Sequence, residues 1–254
     1  MPMPFPLTLR HYYNFGQLLT SSESLTSPTT WDYLRRQHRN FYVADERVAW
    51  LRSLDELKDG QDSALIARSA AIVELLDQRG IGNLHSVAVG AAGLEFHIKR
   101  LAPKLHLTIS EFAPDNITRL RKVFLECDRI ELFDICSSDW NHIQKPESLH
   151  SLVLMYRTEP HFSDRQWREI FTTMAAKGVL QILFIPSHIV NLPYLVMVIG
   201  RRCKYWAKHS PLTFTGYVRT HARFMSLWRG IYACQSFNLC GMRGYWLKRN
   251  KLWI

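Results

Sequence analysis

Residues 86–111, SVAVGAAGLEFHIKRLAPKLHLTISE, constrain the fold of this chain more than any other stretch. A short apolar run over 87–89 breaks at Gly90 into a turn of small residues, an amphipathic segment follows, and a second apolar run closes on Glu111. The hydrophobic period switches from strand to helix and back, which predicts a β-turn-α-β unit. Without bulky side chains in the turn, a ligand can approach the backbone and the free amides at the helix start. Glu111 follows the turn at about 20 residues, the distance at which such units present an acid to a ribose hydroxyl. Buried helix starts also use Gly and Ala for packing alone, so the turn taken singly is compatible with either use.

The same alternation continues along the chain. Strands are predicted at 86–89, 105–110, 129–133, 151–155 and 179–185, with helices at 94–101, 114–125 and 163–176. Five strands so separated predict an α/β fold with a doubly wound, mostly parallel Rossmann-like sheet, because parallel neighbours need crossover connections. The ligand then belongs beyond the carboxyl ends of the strands. Ahead of the first strand, Asp62 or Ser63 caps a helix running to Asp77, with Leu65, Ile66, Ala70, Val73, Leu75 and Leu76 as its packed face. Residues 1–60 read differently, as an N-terminal cap. A proline-rich arm leads to the aromatic cluster His11, Tyr12, Tyr13 and Phe15, and a Ser/Thr-rich link covers 20–30. A mostly helical pattern over 31–57 then has Trp31, Leu34, Phe41, Val48 and Leu51 as candidate buried positions. Such a cap either covers the site, with Tyr12 and Tyr13 as substrate contacts, or packs against the sheet.

At 254 residues and 47% hydrophobic content the chain supports one sizeable core, which excludes a disordered class. Its five cysteines are odd in number and form no CxxC pair, so neither a disulfide framework nor a zinc knuckle is indicated, and a reducing cytoplasm is the expected location. No signal-like segment opens the sequence, and no apolar run reaches the length of about 18 residues that spans a membrane. The histidines are scattered without an HxxxH pair, so no metal is expected. Charge is uneven: the formal net is +10, and no Asp or Glu follows Glu169. That basic third is either a solvated face or a contact for phosphate, lipid headgroups or nucleic acid. Within it, residues 189–200, IVNLPYLVMVIG, run directly into RRCKYWAK. The pattern suits a buried helix over the pocket, the preferred reading, or an interfacial contact with anionic membrane.

Taken together, these motifs resemble class I S-adenosylmethionine-dependent methyltransferases from about Ala64 to the C-terminus. VAVGAAG at 87–93 stands where that family has its glycine-rich first motif, and Glu111 in TISEFAPDNI matches its ribose-binding acid. Asp134 in LFDICSSDW resembles the residue near the adenine, and residues 152–171 resemble the fourth strand with its substrate-facing loop. A helix over 217–228 and strands at 232–237 and 245–249 resemble the family's closing antiparallel pair, a poor match for dehydrogenases. The resemblance implies a domain over 61–254 with an insertion at 186–211, and S-adenosylmethionine as cofactor. It implies cofactor contacts at Val89, Gly90, Ala91, Gly93, Glu111, Phe112, Asp134, Ile135 and Tyr156. Trp140 is placed either along the adenine or in the core. In the loop after the fourth strand Glu159 and His161 are the side chains suited to accept a proton, His161 first, while Tyr156 and Arg157 line the pocket and Arg157 contacts substrate. Two departures stand out. Ala88 replaces the acid that opens the motif, and Ala91 or Ala92 replaces its middle glycine, where an alanine at a helix start is expected to need no positive φ. The implied activity is methyl transfer to a small molecule or glycan intermediate, a phosphate-bearing one fitting the cations. The alternatives are a degenerate, non-catalytic binding module and an RNA methyltransferase. The basic tail suggests the latter, but no RNA-binding appendage supports it.

Overall fold

A computed structural model describes residues 5–13, 44–59, 64–136, 140, 149–207 and 213–250. Strand β1 (Thr8–Tyr13) comes first, then helices α1 (Arg47–Asp59) and α2 (Leu65–Gln78). The alternating part runs β2 (Asn83–Val87), α3 (Gly93–Leu101), β3 (His106–Glu111), α4 (Pro114–Val123), β4 (Arg129–Leu132) and β5 (Ser151–Tyr156). A 3-10 turn (Glu159–His161) then precedes α5 (Asp164–Ala176), β6 (Gln181–Ile185) and α6 (Leu192–Ala207). Strand β7 (Thr213–Arg219), α7 (His221–Leu227), β8 (Tyr232–Leu239) and β9 (Met242–Arg249) close the chain.

Seven strands form the main sheet in the order β4-β3-β2-β5-β6-β9-β8. The first five are parallel, and β9 runs antiparallel to both β6 and β8. Successive residues of one strand feed opposite layers, as the pleat requires. Leu152 and Leu154 of β5 join the core beneath α1–α4, whereas Val153 and Met155 join the core shared with α5 and α7. Both faces are therefore covered, which explains why the inner strands read as apolar runs rather than as alternations. At the edge, β4 carries the charged Arg129 and Glu131, a pattern that blunts further strand pairing.

The N-terminal part holds the expected helix in α1 and adds a strand ahead of it. Residues 8–13 are a strand, paired antiparallel with β7 in a separate two-stranded sheet. Among the described side chains of α1, Trp50 and Leu54 are buried and the expected Leu51 packs against the same core, whereas the expected Val48 is 69% exposed. The expected positions Trp31, Leu34 and Phe41 lie outside the described residues, as do Asp62 and Ser63. Helix α2 has no side-chain cap at Ala64; it buries Leu65, Ser69, Ile72 and Leu76 and leaves Ile66 outside. Residues 217–219, expected as helix, are the end of β7. The helix expected to be buried over the pocket, α6, presents an apolar face to solvent.

The β1–β7 sheet is tied to the main body by a buried arginine. Gly216 has φ +126° and lies so close to the Pro160 carbonyl that an added Cβ would sit 2.1 Å from its oxygen, so only glycine admits this approach. Three residues on, the fully buried Arg219 pairs through Nε with Asp164 at 2.6 Å and donates to the carbonyls of Glu159 and Phe162. Asp164 also accepts from Thr8 and Arg223. Burial alone would raise the Asp164 carboxyl, but these donors outweigh it and hold it below the usual range. Truncating one partner of such a network strands the other charge in the interior. Arg219→Ala should lower unfolding stability by about 3–5 kcal/mol in urea melts. Arg165→Ala, which breaks a solvent-exposed pair with Glu169, should leave the midpoint where it is.

Candidate functional site

The turn after β2 is wound more tightly than small side chains alone require. Ala88 (φ 57°), Gly90 (φ 59°) and Ala92 (φ 58°) are all left-handed, and Ala92 is the N-cap of α3. The expectation that an alanine here needs no positive φ is thus corrected: two alanines bear a left-handed conformation that costs roughly 1–2 kcal/mol per residue. Surrounding contacts impose it. The Gly90 amide donates to Glu111 Oε2 at 3.0 Å, and the Gly90 carbonyl accepts from Asn116 Nδ2 at 2.8 Å, so this peptide is clamped from β3 and α4. Behind the turn, Trp50 Nε1 donates to the Ala91 carbonyl at 3.0 Å. The N-terminal segment therefore buttresses the turn through α1.

The two glycines serve different ends. A Cβ on Gly90 would meet nothing within 4 Å, so the space over this half-buried residue is open. A Cβ on Gly93 would press on Leu54 at 3.2 Å and Leu65 at 3.3 Å, so its bareness serves helix packing. Val89 and Ala91 are half-buried on the same core. Glu111 ends β3 with its carboxylate buried. Its Oε1 accepts from the Phe112 amide at 3.1 Å, so each carboxylate oxygen holds a backbone donor.

A second acid, missed in the sequence, lies under the turn. Glu95 in the first turn of α3 is fully buried and accepts from Ser86 Oγ at 2.7 Å. Burial, reinforced by the nearby Glu111 charge, pushes its carboxyl up to about 7 against the Ser86 hydrogen bond. It escaped the sequence reading because α3 was taken as amphipathic, whereas α1 and α2 enclose it and Gly93 through Lys99 are all buried. Nearby, burial pushes the imidazole of His85 down to about 3, so it stays neutral, with Nε2 3.0 Å from Ser110 Oγ.

Beyond the neighbouring strands lie the remaining candidates. Asp134 is exposed after β4 and accepts from the Cys136 amide at 2.9 Å. Ile135 and Trp140 are buried in the core under α5, which settles Trp140 as a core residue, its ring 5.0 Å from Phe133. Tyr156 ends β5, its hydroxyl accepting from Arg68 at 3.1 Å and lying 3.9 Å from Met242 Sδ. Arg157 is exposed and left-handed (φ 58°), an uncommon conformation for a long side chain. Glu159 is fully buried: Oε1 takes the Ser187 amide at 2.8 Å, the Ser187 hydroxyl and the His188 amide at 3.3 Å. Burial raises its carboxyl, and Oε2 has no hydrogen-bond partner, nor does the buried Thr158 Oγ1. His161 is half-buried at the end of the 3-10 turn. The backbones of Tyr12 and Tyr13 lie in β1, and their side chains lie outside the described residues. Among the described residues no group of three or more His, Cys, Asp or Glu could hold a metal ion.

No protein-family profile matches the chain, and no curated protein sequence does. Solved structures do match. Human N-acetylserotonin methyltransferase in complex with S-adenosylmethionine superposes with TM-score 0.53 at 15% identity over 81% of this chain and 56% of its own. The pyocyanin biosynthetic protein PhzM gives 0.52 at 18% over 74% and 55%. The mitomycin 7-O-methyltransferase MmcR gives 0.53 at 13% over 94% and 79%. This chain spans little more than half the length of the first two. With the strand order and the antiparallel β8–β9 pair, these likenesses define the fold as that of class I S-adenosylmethionine-dependent methyltransferases.

Glu95 offers a direct test of the turn's construction. The folded state holds a proton that the unfolded chain releases, so wild-type stability should fall as pH rises from about 4.5 through about 7. Glu95→Gln keeps an acceptor for Ser86 but cannot ionise. Urea melts should show a shallower slope, what remains belonging to other buried acids such as Glu159, and the variant more stable than wild type above that window by on the order of 3 kcal/mol.

Proposed function

We propose that this protein is an S-adenosylmethionine-dependent methyltransferase acting on a small-molecule or glycan acceptor. One observation carries the reading: the clamped Gly90 peptide with open space above it faces the buried Glu111 carboxylate at the carboxyl ends of adjacent parallel strands. That arrangement suits a nucleoside, with a bare backbone for close approach and, beside it, an acid at the spacing that meets ribose hydroxyls in such units. Val89, Ala91 and Phe112 border this space, and Asp134 extends it towards the adenine. The methyltransferase fold supports the choice of nucleoside.

The bound cofactor supplies a methyl group already activated on a sulfonium, so the protein's task is alignment, with modest base assistance. Glu111 holds the ribose end. On the acceptor side, the loop after β5 carries Arg157, Thr158, Glu159 and His161. Unpaired polar atoms on the buried Thr158 and Glu159 are costly unless an acceptor's polar group meets them, by about 1–3 kcal/mol each. With Glu159 Oε1 occupied by three donors, Glu159 fixes the loop to the β6–α6 connection, and His161 is the side chain assigned to take the acceptor's proton. Tyr156 and Arg157 border the same loop. A degenerate binding module is favoured by one feature, the strained alanines at 88 and 92 where the turn wants glycine.

Titration calorimetry with S-adenosylmethionine, S-adenosylhomocysteine and NAD decides between these readings. Binding of the first two alone is expected, and binding of none would assign the degenerate module. Glu111→Ala would also orphan the amides of both Gly90 and Phe112, and the milder variant, with its fold checked by a urea melt because its NH2 group leaves one of those amides without an acceptor, is Glu111→Gln. It should weaken both sulfur ligands by about 1.5–3 kcal/mol while the protein stays folded, with Lys104→Ala unchanged. Unaltered affinity in folded Glu111→Gln would remove Glu111 from the site.

A further inference from the structure

Among the described residues, the contacts that hold helix α6 lie on one side. Arg202 donates to the Arg10 carbonyl of β1 at 2.9 Å, Tyr194 packs its ring 5.5 Å from His188 and 6.4 Å from His11, and Val198 is buried. On the opposite side Leu192, Val196, Ile199, Cys203 and Trp206 recur at spacings of four and three, forming one continuous stripe along the helix. This stripe faces solvent: Leu192 and Val196 are each 62% exposed, Ile199 52% and Trp206 82%. Cys203 is exposed with them. Single exposed apolar residues are ordinary, but an unbroken apolar stripe over a whole helix marks a contact surface.

We propose that this stripe seats the protein on an anionic lipid surface. Charge selects that occupant. The exposed Lys204 and Arg202 flank the stripe on its two sides, and no Asp or Glu follows Glu169 in the sequence. A second copy pairing through the same 4-3 seam would bring these cations together without an acid on the helix to oppose them, the reverse of the flanking pairs that stabilise helix dimers. An anionic headgroup layer supplies the missing charge while the apolar side chains enter the boundary beneath it. The helix lies on the surface and does not cross, because no helix among the described residues is long and apolar enough to span a bilayer. Trp206, the most exposed of the set and nearest the cations, suits the headgroup depth that indole prefers. The inference rests on this helix alone and is independent of cofactor binding.

Cosedimentation of the full chain with phosphatidylcholine vesicles, with and without phosphatidylglycerol, tests it at low ionic strength. Binding is expected only with phosphatidylglycerol present, accompanied by a blue shift of the emission that Trp206→Phe removes. Lys204→Gln should reduce partitioning about fivefold, the factor that one cation near such a surface contributes. The pair Val196→Glu and Ile199→Glu, both at exposed positions, should abolish binding with the thermal melt unchanged. Absence of binding to phosphatidylglycerol vesicles would overturn the proposal, as would wild-type binding by the doubly substituted protein, which would leave the remaining cations as the cause. Self-association relieved by the same two substitutions, without vesicle binding, would assign the stripe to a second copy and equally overturn it.

Discussion

The hydrogen bond from the Gly90 amide to the Glu111 carboxylate joins the carboxyl end of one parallel strand to that of its neighbour, and the geometry of the site follows from it. Donating that amide sideways turns the chain sharply out of β2, and the Asn116 side chain takes the carbonyl of the same residue. With the N–H and the C=O of one residue committed, the peptide groups on both sides of Gly90 are fixed. Ala88 and Ala92 are forced into the left-handed region, and α3 starts in a fixed direction. Helix α1 completes the arrangement by bonding the Ala91 carbonyl and pressing Leu54 against Gly93. Glu111, expected from its spacing as a ligand contact, is a structural tie.

Burial behind this turn has an electrostatic cost. Glu95 and Glu111 are both enclosed near each other, and the interior resolves the conflict by favouring the protonated form of Glu95 rather than by adding a cation. His85 answers the same low-dielectric surroundings in the opposite sense and remains neutral. Elsewhere in the fold, the buried Arg219 is paired with Asp164. It links β7, the start of α5 and the loop carrying Glu159. Two polar knots thus fix the turn after β2 and the loop after β5.

Periodicity made the alternating core legible. Residues 86–111 announced strand, turn, helix and strand, and each was found within a few positions, because a doubly covered parallel sheet leaves apolar runs bounded by turn residues. Ser163 with Gln166 even completes a capping box at the start of α5. Where a helix met more than one neighbour the pattern misled. Helix α3 looked amphipathic yet is enclosed on all sides, which hid Glu95. In α1 the buried face rests on Trp50 and Leu54, and Val48 is outside. The strand at 8–13 was unreadable because its partner lies some 200 residues away, and a short aromatic segment carries no sign of which strand it will join.

The sequence by itself determined the order of strands and helices, the glycine turn and the spacing of its acid, since these depend on local periodicity and on backbone conformations that only small residues tolerate cheaply. It also determined the charge asymmetry of the C-terminal third. Only the tertiary structure decided that Glu111 holds the turn, that Gly93 is bare for packing, that Glu159 is a buried strut and that the apolar side of α6 faces outward. Each of those outcomes depends on which distant element comes to lie against a residue, and burial and pairing are properties of that neighbour as much as of the residue itself.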